Sequence, residues 1–160
     1  MYRFVHHLPL KDTMVFEEEC FKSPLRASLA EKKALFNSTM SGIWMFKDND
    51  LIGETYMQYS QYMNEDLEGV AELNLPLSYL SIGYIYSTAI RPEWQGKGLS
   101  KILKAYSLGY WKNEDVEVII GHAKEGASLG LNKIFGAVIY KKCENWFETG
   151  ENYYLYKIEL

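Results

Sequence analysis

Residues 95–100 read Gln95-Gly96-Lys97-Gly98-Leu99-Ser100, wedged between an apolar β-like run, Ile82 to Ile90, and a helix-like run, Leu99 to Trp111. A strand that turns through glycines straight into a helix leaves several backbone N–H groups unpaired at the helix start, where the macrodipole adds roughly half a positive charge. Such a start is suited to phosphate. Leu99, Ile102, Leu103, Tyr106 and Tyr110 recur at three- and four-residue spacing and give the helix one apolar face. Gly96 and Gly98 permit torsions and a close ligand approach that a Cβ would obstruct, and Ser100 adds a hydroxyl in the first turn. A Walker phosphate loop is excluded, because Gly98 follows Lys97 where Ser or Thr is required. Taken by itself, a two-glycine turn is also compatible with an ordinary strand-to-helix connection.

The surrounding residues narrow the choice. The run Ala89-Ile90-Arg91-Pro92-Glu93-Trp94-Gln95-Gly96-Lys97-Gly98-Leu99-Ser100 resembles the signature of the GNAT superfamily of acyl-CoA-dependent N-acyltransferases, departing only at Ser100, where Gly or Ala is usual. Downstream, 128–137 (Ser128-Leu129-Gly130-Leu131-Asn132-Lys133-Ile134-Phe135-Gly136-Ala137) resembles the family's fourth helix and the Gly-aromatic turn after it. The resemblance covers roughly residues 82 to 138. It implies an α/β fold with a central, mostly antiparallel mixed sheet, splayed middle strands and flanking helices. It also implies acetyl-CoA as co-substrate and no metal. Its cofactor contacts fall on the backbone near Ala89 and Ile90, on the turn Gln95, Gly96, Lys97, Gly98, Leu99, Ser100 and Lys101, and on Ser128. The pantetheine arm is then expected between the strand Ile82–Ile90 and the strand Val116–His122, bonded to the strand edge.

At 160 residues the chain fits a single domain, 1–160, able to bury roughly 68 to 70 per cent of its unfolded surface. The two cysteines, Cys20 and Cys143, have neither metal-ligand nor CxxC spacing, which fits a reducing, cytoplasmic setting. No run reaches the roughly 18 apolar residues of a membrane span, and Met1 to His7 lacks a signal-peptide core. A net charge of −4 argues against broad nucleic-acid binding, and with it against an aminoacyl-tRNA acceptor.

The order of elements reads as a strand at Tyr2–Leu8, a short helix capped by Asp12 or Thr13 and ending at Cys20, and a helix from Ser23-Pro24 with Glu31, Lys32 and Lys33 on its surface. A hairpin follows, Gly42–Lys47 and Leu51–Ser60 around Asp48-Asn49-Asp50, then a long connection over 61–80. After the central strand and helix come a strand at Val116–His122, a helix at Ala127–Phe135, and closing strands at Ala137–Phe147 and Tyr153–Leu160.

Transfer of an acyl group from a thioester to an amine needs a neutral amine, a stabilised oxyanion and a departing thiolate. At pH 7, deprotonating an amine of pKa near 10.4 costs about 4 to 5 kcal/mol, whereas a thiol of pKa near 8.5 leaves with little help. A general base therefore matters more than a general acid. In the family a tyrosine of the fourth helix commonly donates the proton; the matching residue here is Asn132, which cannot. The asparagine often found seven residues earlier is Glu125, and the strand glutamate that serves some members as base is Tyr84. Tyr84 is expected to position substrate, and Glu54, on the preceding strand, to serve as base through ordered water, although an outward surface role for Glu54 is equally open. His122 ends its strand as a polar residue, and Glu65, Asp66, Glu68 and Glu72 among Tyr59, Tyr62 and Tyr79 could form an acidic lip for a cationic amine.

The leading expectation is an acetyl-CoA-dependent N-acetyltransferase acting on a primary amine of a small molecule or protein. The alternative is a catalytically weak CoA-binding interaction module. The acceptor is left open, as is a homodimer through the C-terminal strands.

Overall fold

The computed structural model describes residues 1–36, 40–63, 67–76 and 81–160. They form seven strands and four α-helices: β1 (Tyr2–Val5), α1 (Met14–Cys20), α2 (Leu29–Leu35), β2 (Met40–Lys47), β3 (Asp50–Tyr59), β4 (Ile82–Ile90), α3 (Leu99–Asn113), β5 (Val118–Lys124), α4 (Ala127–Ile134), β6 (Val138–Cys143) and β7 (Tyr153–Glu159). The hydrogen-bonded order is β1-β2-β3-β4-β5-β7-β6. β4 and β5 run parallel, whereas β1 with β2, β5 with β7 and β6 with β7 are antiparallel. The fold is therefore mixed α/β with a mostly antiparallel sheet.

The chain forms two compact units, one of Met1–Met57 with Tyr86–Ser107, the other of Gln58–Ile85 with Leu108–Leu160. In the first unit the core gathers Phe16, Trp44 and Ala89, with Val5, Leu8, Phe36 and Phe46 packed around them. Gly53 lies tight in this unit, because a Cβ there would meet Ile90 Cδ1 at 2.8 Å and Leu103 Cδ2 at 3.2 Å. In the second unit Ile119, Ile120 and Leu155, on β5 and β7, are fully buried. The β4–β5 ladder runs from Ile82 opposite Val118 to Ile85 opposite Gly121, so the parallel register takes in the first four residues of β4.

Several boundaries differ from the sequence reading. β1 stops at Val5. The helix expected from Ser23-Pro24 begins only at Leu29, because Leu25 and Arg26 both donate to the Lys22 carbonyl in an isolated turn. Its true start is a reciprocal cap: the Ser28 hydroxyl accepts the Glu31 N–H at 3.2 Å, and the Glu31 carboxylate accepts the Ser28 N–H at 2.7 Å. β5 starts at Val118 because Val116 donates to the Trp111 carbonyl (3.0 Å) and closes the end of α3. In α3, Ile102 is exposed while Lys104 and Ser107 are buried, so the apolar stripe is narrower than its spacing suggested. The greatest departure is Lys32, expected on the surface and fully buried.

Candidate active site

The glycine turn takes the conformation its residues predicted. Pro92–Trp94 make one 3₁₀ turn after β4, and Gly96 and Gly98 follow with φ of 73° and 76°. A Cβ on either glycine would meet nothing within 4 Å, so the space above the turn is open, while the positive φ disfavours an L side chain. Intrahelical pairing enters at Lys101 and Ile102, whose N–H groups share the Gly98 carbonyl at 3.2 and 3.4 Å. The N–H groups ahead of them have no intrahelical acceptor and face the helix start. Leu99, buried, anchors the first turn of α3, and Ser100 is half-buried.

The turn is fastened to the strand by its own side chains. Gln95 Nε2 donates to the Ile90 carbonyl at 2.8 Å, and Cys20 Sγ approaches the same oxygen at 3.6 Å. Lys97 donates to the Glu93 carbonyl at 3.0 Å and lies 4.8 Å from the Trp94 ring centre, whereas Lys101 is exposed on the first turn of α3. Arg91 is committed to Glu19 by two bonds of 2.8 and 3.0 Å.

On α4, Asn132 is 6% exposed and Nδ2 donates to the Ser128 carbonyl at 2.9 Å. A carbonyl only accepts, so this bond fixes the amide orientation and leaves Oδ1 buried with no hydrogen-bond partner among the described residues. An unsatisfied buried acceptor costs about 1–3 kcal/mol, which a ligand N–H or O–H would relieve. Ser128 itself is exposed. Each feature by itself fits a group that CoA carries: the open glycine turn fits a phosphate, and the Asn132 oxygen fits an amide N–H. Glu125, where the family often has asparagine, instead accepts the Tyr154 hydroxyl at 3.0 Å.

Glu54 does not have the outward surface position weighed for it. The side chain is completely buried in the first unit, and its oxygens accept Lys32 Nζ at 2.8 and 3.0 Å and Trp44 Nε1 at 2.6 Å. Lys32 also meets Glu17 Oε1 at 3.4 Å and stands 5.5 Å from the Tyr56 ring centre. Burial pushes the Glu54 pKa above the usual carboxylate range against the pull of Lys32 and Trp44. A carboxylate with three hydrogen bonds already on it, two of them from a lysine, is built as a counter-ion.

The second unit holds a different polar arrangement, which residue spacing did not signal. Tyr84, 4% exposed, lies 2.8 Å through its hydroxyl from His122 Nδ1, and His122 Nε2 lies 2.8 Å from the Glu68 carbonyl. Because that carbonyl can only accept, Nε2 carries the hydrogen, and in the neutral ring Nδ1 accepts from Tyr84. Burial pushes the His122 pKa down to about 4, so the neutral ring prevails at pH 7. Trp146 stacks on the imidazole with ring centres 4.1 Å apart. Its neighbours Asn145 and Phe147 hold φ of 49° and 46°, in the left-handed region that is uncommon for residues other than glycine.

The proposed acidic lip is less acidic than its composition. Glu68 and Glu72 both face Lys141, at 4.0 and 2.7 Å, while Glu65, Asp66 and Tyr79 lie outside the described residues. Among the described residues no group of three His, Cys, Asp or Glu could hold a metal, and no helix is long and apolar enough to cross a membrane.

Neither a family model nor a curated protein matches the sequence. Solved structures do. The ribosomal-protein-S18-alanine N-acetyltransferase of Escherichia coli superposes with a TM-score of 0.76 at 10% identity, over 99% of this chain and 94% of that one. A spermidine N-acetyltransferase chimera from Vibrio cholerae gives 0.72 at 15% identity, over 99% and 95%. An acetyltransferase of the GNAT family from Desulfovibrio desulfuricans gives 0.67 at 15%, over 99% of both chains. The fold is that of the GNAT N-acetyltransferases.

Proposed function

We propose that this chain is an acetyl-CoA-dependent N-acetyltransferase, one domain over 1–160, acting on a primary amine of a small molecule or protein. The observation that carries the proposal is the open, left-handed Gly96–Gly98 turn feeding unpaired N–H groups into the start of α3, within a fold shared with N-acetyltransferases. The acceptors named for two neighbours, a ribosomal-protein alanine and spermidine, are both amines. Free Cys20 and Cys143 fit a cytoplasmic setting.

Acetyl-CoA, when bound, supplies the acyl group as a thioester. The turn from Gln95 to Lys101 would hold its phosphates through backbone N–H groups, with Lys101 adding charge. Backbone groups near Ala89 and Ile90 on β4 are our candidates for the pantetheine arm; on α4, Asn132 is a candidate to accept an amide N–H, and Ser128 stands in the first turn. Asn132 can orient but cannot donate a proton usefully, which thioester chemistry tolerates because thiolate is a good leaving group. Tyr84 is the group we assign to contact the acceptor nitrogen, and Glu54 keeps its role as the Lys32 counter-ion.

The test is incubation with acetyl-CoA and a mixed panel of amines and peptides, read by thiol release and mass shift, with CoA affinity measured alongside. Gly98→Glu is expected to weaken CoA roughly a hundredfold or more, the loss of two charge-assisted bonds of about 1.5 kcal/mol each. Unchanged affinity would remove the turn from the site. Tight CoA binding without turnover of any amine would favour the second reading, a CoA-binding interaction module, for which Asn132 at the donor position and the engaged Glu54 speak.

A further inference from the structure

We infer that His122 is a positioning residue that fixes the direction of the Tyr84 hydroxyl, so that the Tyr84 oxygen receives an N–H of the acceptor amine; the inference rests on the acetyltransferase reading. Three contacts hold the imidazole in one plane and one tautomer. Nε2 donates to the Glu68 carbonyl at 2.8 Å, Nδ1 accepts from Tyr84 at 2.8 Å, and Trp146 covers the ring face at 4.1 Å. A phenol has one hydrogen, and once that hydrogen is committed to an imidazole nitrogen the oxygen can act toward any further partner only as an acceptor.

This polarity suits the chemistry. An amine nitrogen attacks through its lone pair, so an enzyme that orients it must bond its hydrogens and leave the lone pair directed at the acyl carbon. A tyrosine hydroxyl free to rotate could instead donate to that lone pair and block the attack. With its hydrogen held by His122, Tyr84 can only accept.

The machinery is built at some expense in backbone conformation. Asn145, Phe147 and Glu148 all adopt positive φ, at 49°, 46° and 59°. Asn145 Oδ1 accepts the Gly150 N–H at 2.7 Å and Trp146 N–H donates to the Glu151 carbonyl at 2.9 Å, which lock this turn with Trp146 against His122. Non-glycine residues in this region of φ are uncommon, and here the turn's own hydrogen bonds hold them in place.

Three variants separate positioning from packing. His122→Phe keeps a ring to stack on Trp146 and removes the acceptor; His122→Asn restores an acceptor near the Nδ1 position; Tyr84→Phe removes the hydroxyl. For whichever amine the wild type acetylates, His122→Phe and Tyr84→Phe are each expected to lower kcat roughly ten- to a hundredfold with CoA affinity unchanged. The double variant should lose no more than either single one, and His122→Asn should recover most of the rate. A His122→Phe rate within twofold of wild type, or multiplicative losses in the double variant, would overturn the inference.

A separate measurement stands apart from turnover. Nitrogen-15 NMR of the histidines is expected to give the Nε2–H tautomer for His122 in the wild type and a changed Nδ1 signal in Tyr84→Phe. The Nδ1–H tautomer would refute the assignment even in an active enzyme. If no amine is turned over, the acetyltransferase reading fails; the His122 inference then survives only if a panel amine added with CoA shifts the Nδ1 signal in the wild type and not in Tyr84→Phe.

Discussion

Glu54 and His122 are both titratable side chains withdrawn from water, and the chain treats them in opposite ways. Glu54 is buried as half of an ion pair, its oxygens closed off by Lys32 and Trp44. His122, half-buried, is held neutral, with each nitrogen given one partner and the partner types dictating which nitrogen carries the hydrogen. The lesson is that burial of a charge consumes its chemistry in its own neutralisation, whereas a half-buried neutral imidazole remains a directional group that can set the polarity of a neighbour.

The contrast breaks most visibly at Lys32. Lys32→Met should cost about 3–5 kcal/mol of stability, because it strands Glu54, fully buried, without a cation. Denaturant unfolding measures this, and the double variant Lys32→Met/Glu54→Leu should recover most of the loss. A Lys32→Met protein as stable as the wild type would mean that Glu54 is buried protonated and the ion pair is not what holds it.

A smaller effect belongs to His122. Its folded pKa, about 4, lies below the unfolded value near 6.5. Between the two the unfolded chain binds more protons, so this contribution is complete above about pH 6.5 and is lost as pH falls toward 4. Stability curves should therefore drop more steeply across that window for wild type than for His122→Phe. Equal slopes would mean that the ring is as easily protonated folded as unfolded.

The smallest expected change is at the edge of the ion-pair region. Ser28→Ala removes the α2 cap and should cost about 1 kcal/mol, with Lys32 presented from a looser helix. Thermal melting reads it, and a loss as great as that of Lys32→Met would mean that helix placement, not charge pairing, dominates the cluster.

The elements that were readable from residue order are those whose causes are local. The turn at Gly96 and Gly98 was foreseeable because only glycine takes those torsions readily, and α3 because its apolar residues recur at helical spacing. The hairpin at Asp48–Asp50 declared itself through turn residues, and Asp48 does adopt a φ of 54°. The start of α2 was also locally written, as Ser28 with Glu31 three residues on, but Ser23-Pro24 offered a competing signal that leads only to a single turn.

What stayed hidden is pairing between distant residues. Lys32 reads as a surface lysine because its neighbours Glu31 and Lys33 are charged, and nothing within the helix announces a carboxylate 22 positions away. Tyr84 and His122 are separated by 38 residues, and the Glu68 carbonyl stands 54 residues from the ring it orients.

Residue order alone was enough to set the backbone conformation of the Gly96–Gly98 turn and the alternation of strands and helices, since each depends on torsional preference or periodicity. The tertiary fold alone decided which ionisable groups are neutralised and which are left to direct a hydrogen bond. That choice depends on desolvation and on partners within about 3 Å, and strand register, rather than proximity along the chain, brings such partners together.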